Sequence, residues 1–299
     1  MIRRFWCLSA ALWAIKISEM TVDFHTHTFP EKIAAATIEK LSRVARIHPF
    51  TDGTAEGLKR SMTDAGVTCS VVLPVATSPR QVAGINRAAA AVNDRGEGLI
   101  SFACMHPDLE NWHEELTLAA QLGLKGIKIH PVYQGVDQND IRYLRILERA
   151  GELDLVVVTH SGIDVGYPDA GQCAPGKIAD AVRQVGPVKL IAAHMGGWKQ
   201  WEEAVKLAEF PNVSLDTSFS TGFMTPRTAG DDPPQELELL QEEAFLRIVS
   251  LFGVRRILFG TDSPWSDQRE SIRWLQALPL SGEDRAAILG GNAQRLLRL

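Results

Sequence analysis

Short β-branched runs alternate with amphipathic stretches from Met20 onward, eight such runs can be counted, and no low-complexity linker divides them. Together these observations predict an α/β fold of the (β/α)8 class, a single TIM barrel. The eight expected strands are TVDFHTH from Thr21, VTCSVVLP from Val67, LISFACMHP from Leu99, GIKIHP from Gly126, LDLVVVTHSG from Leu153, VKLIAAHMGG from Val188, NVSLDTSFS from Asn212 and RILFGTDSPW from Arg256. Between them, stretches such as DIRYLRILERAG and WKQWEEAVKLAEF repeat apolar residues at intervals of three and four, which predicts helices. A doubly wound open sheet would place a Gly-rich turn after its first strand, where this chain has HTHTFPEK.

The domain boundaries expected are 1–19, an N-terminal extension, and 20–299, one barrel. Arg3 and Arg4 precede an apolar stretch from Phe5 to Ile15, the order of a signal peptide, but the stretch is too short to span a bilayer and no small-x-small cleavage site follows. An upstream start codon is the reading adopted, with an export signal as the alternative. The segment from Phe219 to about Pro234 is rich in Gly and Pro and follows a strand exit, so it is expected to be a loop, either closing over a site or disordered.

With 299 residues, 45% hydrophobic and 22% charged, the chain can bury a large core. A net charge of −5 gives no electrostatic reason to meet nucleic acid or an anionic membrane, so the expected partner is a small molecule, with a homodimer possible as assembly. Four scattered cysteines, Cys7, Cys69, Cys104 and Cys173, include no CxxC pair and point to a reducing, cytoplasmic setting. Serine-hydrolase elbows, Walker loops and GxGxxG turns are absent.

The chemistry is expected at the strand exits, because loops at that end build the active site of this fold. In a regular strand Asp23, His25 and His27 share one face, so two imidazoles converge as a metal ion requires. Two histidines packed in a polar barrel mouth would give the same pattern. His160 ends LVVVT, His194 ends LIAA, and Asp262 follows ILFGT. One such histidine reads as a satisfied core residue; the full set at strands one, five, six and eight needs a compensating cation.

In this order the HTH, the lone histidines, GTDSP, GIKIHP, AHMGGW and the closing GGNAQRLLRL resemble the amidohydrolase superfamily, from about Thr21 to Leu299. The branch resembled is amidohydrolase-2, which includes aminocarboxymuconate-semialdehyde decarboxylase and resorcylate decarboxylase. The resemblance implies one divalent cation, zinc or else manganese, held by His25, His27, His160 and Asp262, with His194 as general acid or base. A fifth ligand or a structural hydrogen bond is the other reading of His194. Lys128 and His130 share a face of strand four; Lys128 is expected as a buried charge or a carboxylate partner, or else paired with Asp23, and His130 lines the pocket. Trp265 is a further substrate-binding candidate, and His106, Tyr133 and Trp198 are candidate walls.

The expected activity is a mononuclear metal-dependent hydrolase that uses an activated water, Asp262 and His194 on a lactone, amide or similar carbonyl compound. The alternative is a non-oxidative decarboxylase of a carboxylated aromatic or muconate-like acid, with Arg80, Arg227 or Arg269 available to grip a carboxylate. A TatD-type nuclease is disfavoured because neither strand three nor strand four ends in a bridging Glu. A catalytically dead scaffold would not be expected to keep the whole set. The segment GIDVGYPDAGQCAPG after His160 is expected to shape the pocket.

Overall fold

The computed structural model describes residues 20–228 and 237–299. The N-terminal extension expected over 1–19, and the end of the Phe219–Pro234 loop, lie outside the described residues. Eight parallel strands form the framework. They are β1 Val22–Thr26, β2 Cys69–Val72, β3 Leu99–Ser101 continued by Ala103–Cys104, β4 Gly126–Ile129, β5 Val156–Thr159, β6 Lys189–Ala192, β7 Val213–Asp216 and β8 Ile257–Leu258. Each pairs in parallel with its neighbour in chain order. Phe102 bridges the two pieces of β3, its N–H donating to Val72 O at 2.9 Å. Between β8 and β1 the backbone donates from Phe24 to Phe259, from Asp262 to His25 and from His27 to Ser263 at 2.7–2.8 Å. The fold is the expected (β/α)8 barrel.

The strands are shorter than the apolar runs suggested, because the ends of those runs bend away into the loops that carry the polar residues. His160 falls directly after β5, and His194 follows β6 with Ala193 between them. Within the strands nearly every side chain is buried on both faces, as a parallel sheet covered by helices requires. Val22, Phe24, Val71, Phe102, Val156, Val158 and Ile191 pack together, with the Phe24 and Phe102 rings edge to face at 5.9 Å. Gly126 permits this packing: a Cβ there would lie 2.4 Å from the Phe102 ring and 2.3 Å from Val156 O.

The run DIRYLRILERAG forms a helix over Ile141–Glu152, capped by Asp140 and burying Tyr143, Leu144, Ile146, Leu147 and Ala150. WKQWEEAVKLAEF instead gives one α turn, Trp201–Ala204, followed by a 3-10 segment, Val205–Glu209. Its two buried residues, Ala204 and Leu207, are three apart, which suits a three-residue turn. The described part of the loop after β7 is anchored: Thr225–Pro226 pairs antiparallel with Ile47–His48, and the Arg227 guanidinium binds Glu39 and Ser42. No helix among the described residues is long and apolar enough to cross a membrane.

Candidate metal centre at the barrel mouth

β1 does not keep a simple alternation. Its register on β2 shifts between Asp23 and Thr26, a bulge of the kind that re-aims side chains at barrel rims. Asp23 consequently does not join the two histidines as expected. Its carboxylate accepts from Gln268 Nε2 at 2.7 Å, Thr261 N at 3.0 Å and Thr261 Oγ1 at 2.5 Å. Burial pushes this carboxyl up to about 7. Nor does Asp23 pair with Lys128, whose Nζ donates to His25 Nε2 at 3.1 Å.

Past the bulge, His25 and His27 converge on Asp262. His25 Nε2 and His27 Nε2 lie 3.5 and 2.9 Å from Asp262 Oδ1. The opposite nitrogens are tied down: His25 Nδ1 donates to Asp216 Oδ2 and His27 Nδ1 to Leu73 O, both at 2.8 Å. Each imidazole therefore turns Nε2 toward the carboxylate. His27 Nδ1 carries the hydrogen given to Leu73 O, so Nε2 turns an unshared pair toward the Asp262 carboxylate, a contact that a cation between them would satisfy. These three ligand atoms lie within 4.8 Å of one another, so the donor set fits a divalent cation.

Burial lowers His25 to about 4, with the Lys128 charge adding to it and Asp216 opposing. Against burial, which alone would raise it, the His25 and His27 charges hold Asp262 well below the usual carboxylate range. Burial brings Lys128 down to about 8, while Asp216 and Asp262 oppose the fall.

His194 and His160 form the adjoining pair, His194 Nε2 to His160 Nδ1 at 3.0 Å. The Ser218 carbonyl only accepts, so His194 Nδ1, 3.1 Å from it, carries a hydrogen. The backbone N–H of His194 donates to Asp216 Oδ1 at 3.1 Å. His194 and Asp262 are both held in the left-handed region, at φ 60° and 64°. That costly conformation at two strand exits turns both side chains into the mouth. Burial lowers the His194 imidazole below its ordinary range.

His160 stands apart from the His25–His27–Asp262 group and belongs to a second one with His130 and Asp164. His130 lies between Tyr133 and His160, its ring stacked on each at 3.8 and 4.2 Å. Trp265 packs with Ile47, Trp198 and Phe219 beside Asp262. His106 accepts the N–H of Asp108 in a local turn. Asp216, Ser218 and Asp164 were not anticipated. Asp216 had the same signal as Asp262, a carboxylate ending an apolar run, while Asp164 lies inside a segment expected only to shape the pocket.

The sequence of residues 22–299 matches the model of the Amidohydro_2 family, described as amidohydrolase. The chain belongs to the amidohydrolase family. It is thus an enzyme of a family whose solved neighbours include decarboxylases and an amidohydrolase. No curated protein matches it. Among solved structures, an uncharacterised TIM-barrel protein from Bordetella bronchiseptica superposes with a TM-score of 0.72 at 18% identity, over 93% of this chain and 98% of that one. A 2,6-dihydroxybenzoate decarboxylase from Rhizobium gives 0.65 at 16% identity, over 94% and 99%. A dihydroxybenzoic acid decarboxylase from Polaromonas sp. JS666, with bound manganese and the inhibitor 2-nitroresorcinol, gives 0.64 at 16%, over 94% and 97%. At these identities the likeness establishes the fold.

Proposed function

We propose that this enzyme is a metal-dependent non-oxidative decarboxylase acting on a small, planar carboxylated molecule. The observation that carries the reading is the convergence of His25, His27 and Asp262 beside the His194–His160 pair at the mouth of the barrel. Dihydroxybenzoate decarboxylases among the solved neighbours support decarboxylation over the hydrolysis that the sequence alone led us to expect first.

His25, His27 and Asp262, with His160, would hold one divalent cation. Manganese, bound in the Polaromonas enzyme, is as suitable to this nitrogen and oxygen set as the expected zinc. A cation bound here supplies Lewis acidity toward substrate oxygens and offsets the buried carboxylates. The chain's own residues do the rest. Tyr133, stacked on His130, offers a flat wall to a planar substrate. His194, in its imidazolium form, gives the Nε2 proton to the carbon bearing the carboxylate; the carbon–carbon electron pair stays with that carbon and CO2 leaves. Burial favours the neutral imidazole, so a protonated His194 readily gives up its proton. Of the arginines considered for gripping a carboxylate, Arg227 is bound to Glu39 and Ser42, and Arg80 and Arg269 are exposed.

The test is elemental analysis of the purified protein, then a screen of aromatic and muconate-like acids for CO2 release beside lactones and amides. Manganese- or zinc-dependent CO2 release is expected, lowered by about 10²–10⁴-fold in His194→Ala. Turnover of a lactone or amide with no CO2 from any acid would replace this reading by hydrolysis.

A further inference from the structure

The two ring nitrogens of His160 are in opposite situations. Nδ1 lies 3.0 Å from His194 Nε2, whereas Nε2 is buried and has no hydrogen-bond partner. Since His194 carries its hydrogen on Nδ1, its Nε2 accepts and His160 Nδ1 donates. His160 Nε2 is left with an unshared pair, 3.7 Å from Asp164 Oδ2. Two acceptors thus face each other in a buried pocket, an arrangement that costs free energy. His130 approaches the same oxygen from 3.6 Å. Its Nδ1 accepts the Tyr133 N–H at 3.4 Å, so its Nε2 carries the hydrogen. The other Asp164 oxygen accepts from Gly166 N at 2.8 Å, which fixes the carboxylate.

We propose that Asp164 is a positioning residue that selects the nitrogen through which His160 binds the cation, directing Nδ1 to the metal and Nε2–H to its own carboxylate. The inference rests on reading His160 as a ligand. Its proton balance closes within the ring: Nδ1 loses one hydrogen, Nε2 gains one, and the imidazole stays neutral. The orphaned Nε2 then has an acceptor, and the Asp164 charge makes His160 a more basic ligand. His194 Nε2 loses its donor in the same change.

A second cation held by His130, His160 and Asp164 is the competing occupant, since their ligand atoms also lie within 4.8 Å of one another. The hydrogen on His130 Nε2 opposes it, because a cation there would need that nitrogen bare.

The experiment uses the full chain labelled with ¹⁵N-histidine and titrated with Zn²⁺. The His160 resonances are expected to change from the Nδ1–H to the Nε2–H tautomer as one equivalent binds. Asp164→Ala is expected to weaken Zn²⁺ binding about 10–100-fold, and Asp164→Asn, whose amide oxygen still accepts, to lose less. Ligation through Nε2 in the wild type, unchanged affinity in Asp164→Ala, or a stoichiometry of two that falls to one in that variant would each overturn the proposal. Wild-type affinity in His160→Ala would instead remove His160 from the ligand set, a separate failure of the parent reading.

Discussion

Asp216 orients two of the site's histidines at once, accepting from the His25 ring through Oδ2 and from the His194 backbone and the Ser218 hydroxyl through Oδ1. Replacing its charge but not its shape, in Asp216→Asn, is expected to weaken manganese or zinc binding about 10–100-fold. Metal titration of the stripped variant measures this, and wild-type affinity would contradict it. His25 also makes stability depend on pH. Its folded value of about 4 lies below the ordinary 6.5, so between these values the unfolded chain binds a proton that the folded one does not. Its contribution is complete above pH 6.5 and is lost as the pH falls toward 4, about 3 kcal/mol in all. Buried Asp23, raised to about 7, acts with the opposite sign over the same range, so the measurement is a comparison: between pH 7 and 4.5 the metal-free wild type should lose more urea stability than metal-free His25→Asn, and an equal change in the two would refute the assignment. His25, His27, His194 and Asp262 were legible because polar residues ending apolar runs stand out. Asp216 also ends an apolar run, but the Thr- and Ser-rich stretch that follows it reads as the start of a loop and masks that signal.

At the scale of elements, runs and periodicities located all eight strands, but not where each strand stops or breaks phase. The bulge in β1 separates Asp23 from His25, and no composition rule marks it, since the shift exists only relative to β2. Gly126 in β4 is a similar case. Its sequence context reads as an ordinary strand start, yet the Phe102 ring and the β5 backbone leave no space for a Cβ. Gly126→Ala is expected to cost about 1–3 kcal/mol by overpacking, read as a lower urea midpoint. A wild-type midpoint would mean that the barrel interior yields there. The loop after β7 was expected either to close over a site or to lack order. Its described part is held by the two residue pairs between Thr225–Pro226 and Ile47–His48 and by Arg227 on Glu39, contacts made by residues nearly two hundred positions away.

Across the whole molecule, a cation that binds the folded state alone adds RT ln(1 + [M]/Kd), about 2.7 kcal/mol at a hundredfold excess over Kd. Chelation should therefore lower the melting temperature by several degrees, and readdition of manganese or zinc should restore it. A melting temperature indifferent to both would remove the metal from the folded state. By itself the sequence determined the barrel and singled out the strand exits as the candidate site, because both follow from local hydrophobic periodicity and from the cost of burying charge without a partner. Tertiary structure alone decided which charges meet. His25 and His27 are brought to Asp262 by the closure of β1 on β8, Asp216 and Ser218 fix the ring orientations, and the β1 bulge sends Asp23 elsewhere. These are contacts between residues distant in the chain, and their geometry is set only when the barrel closes.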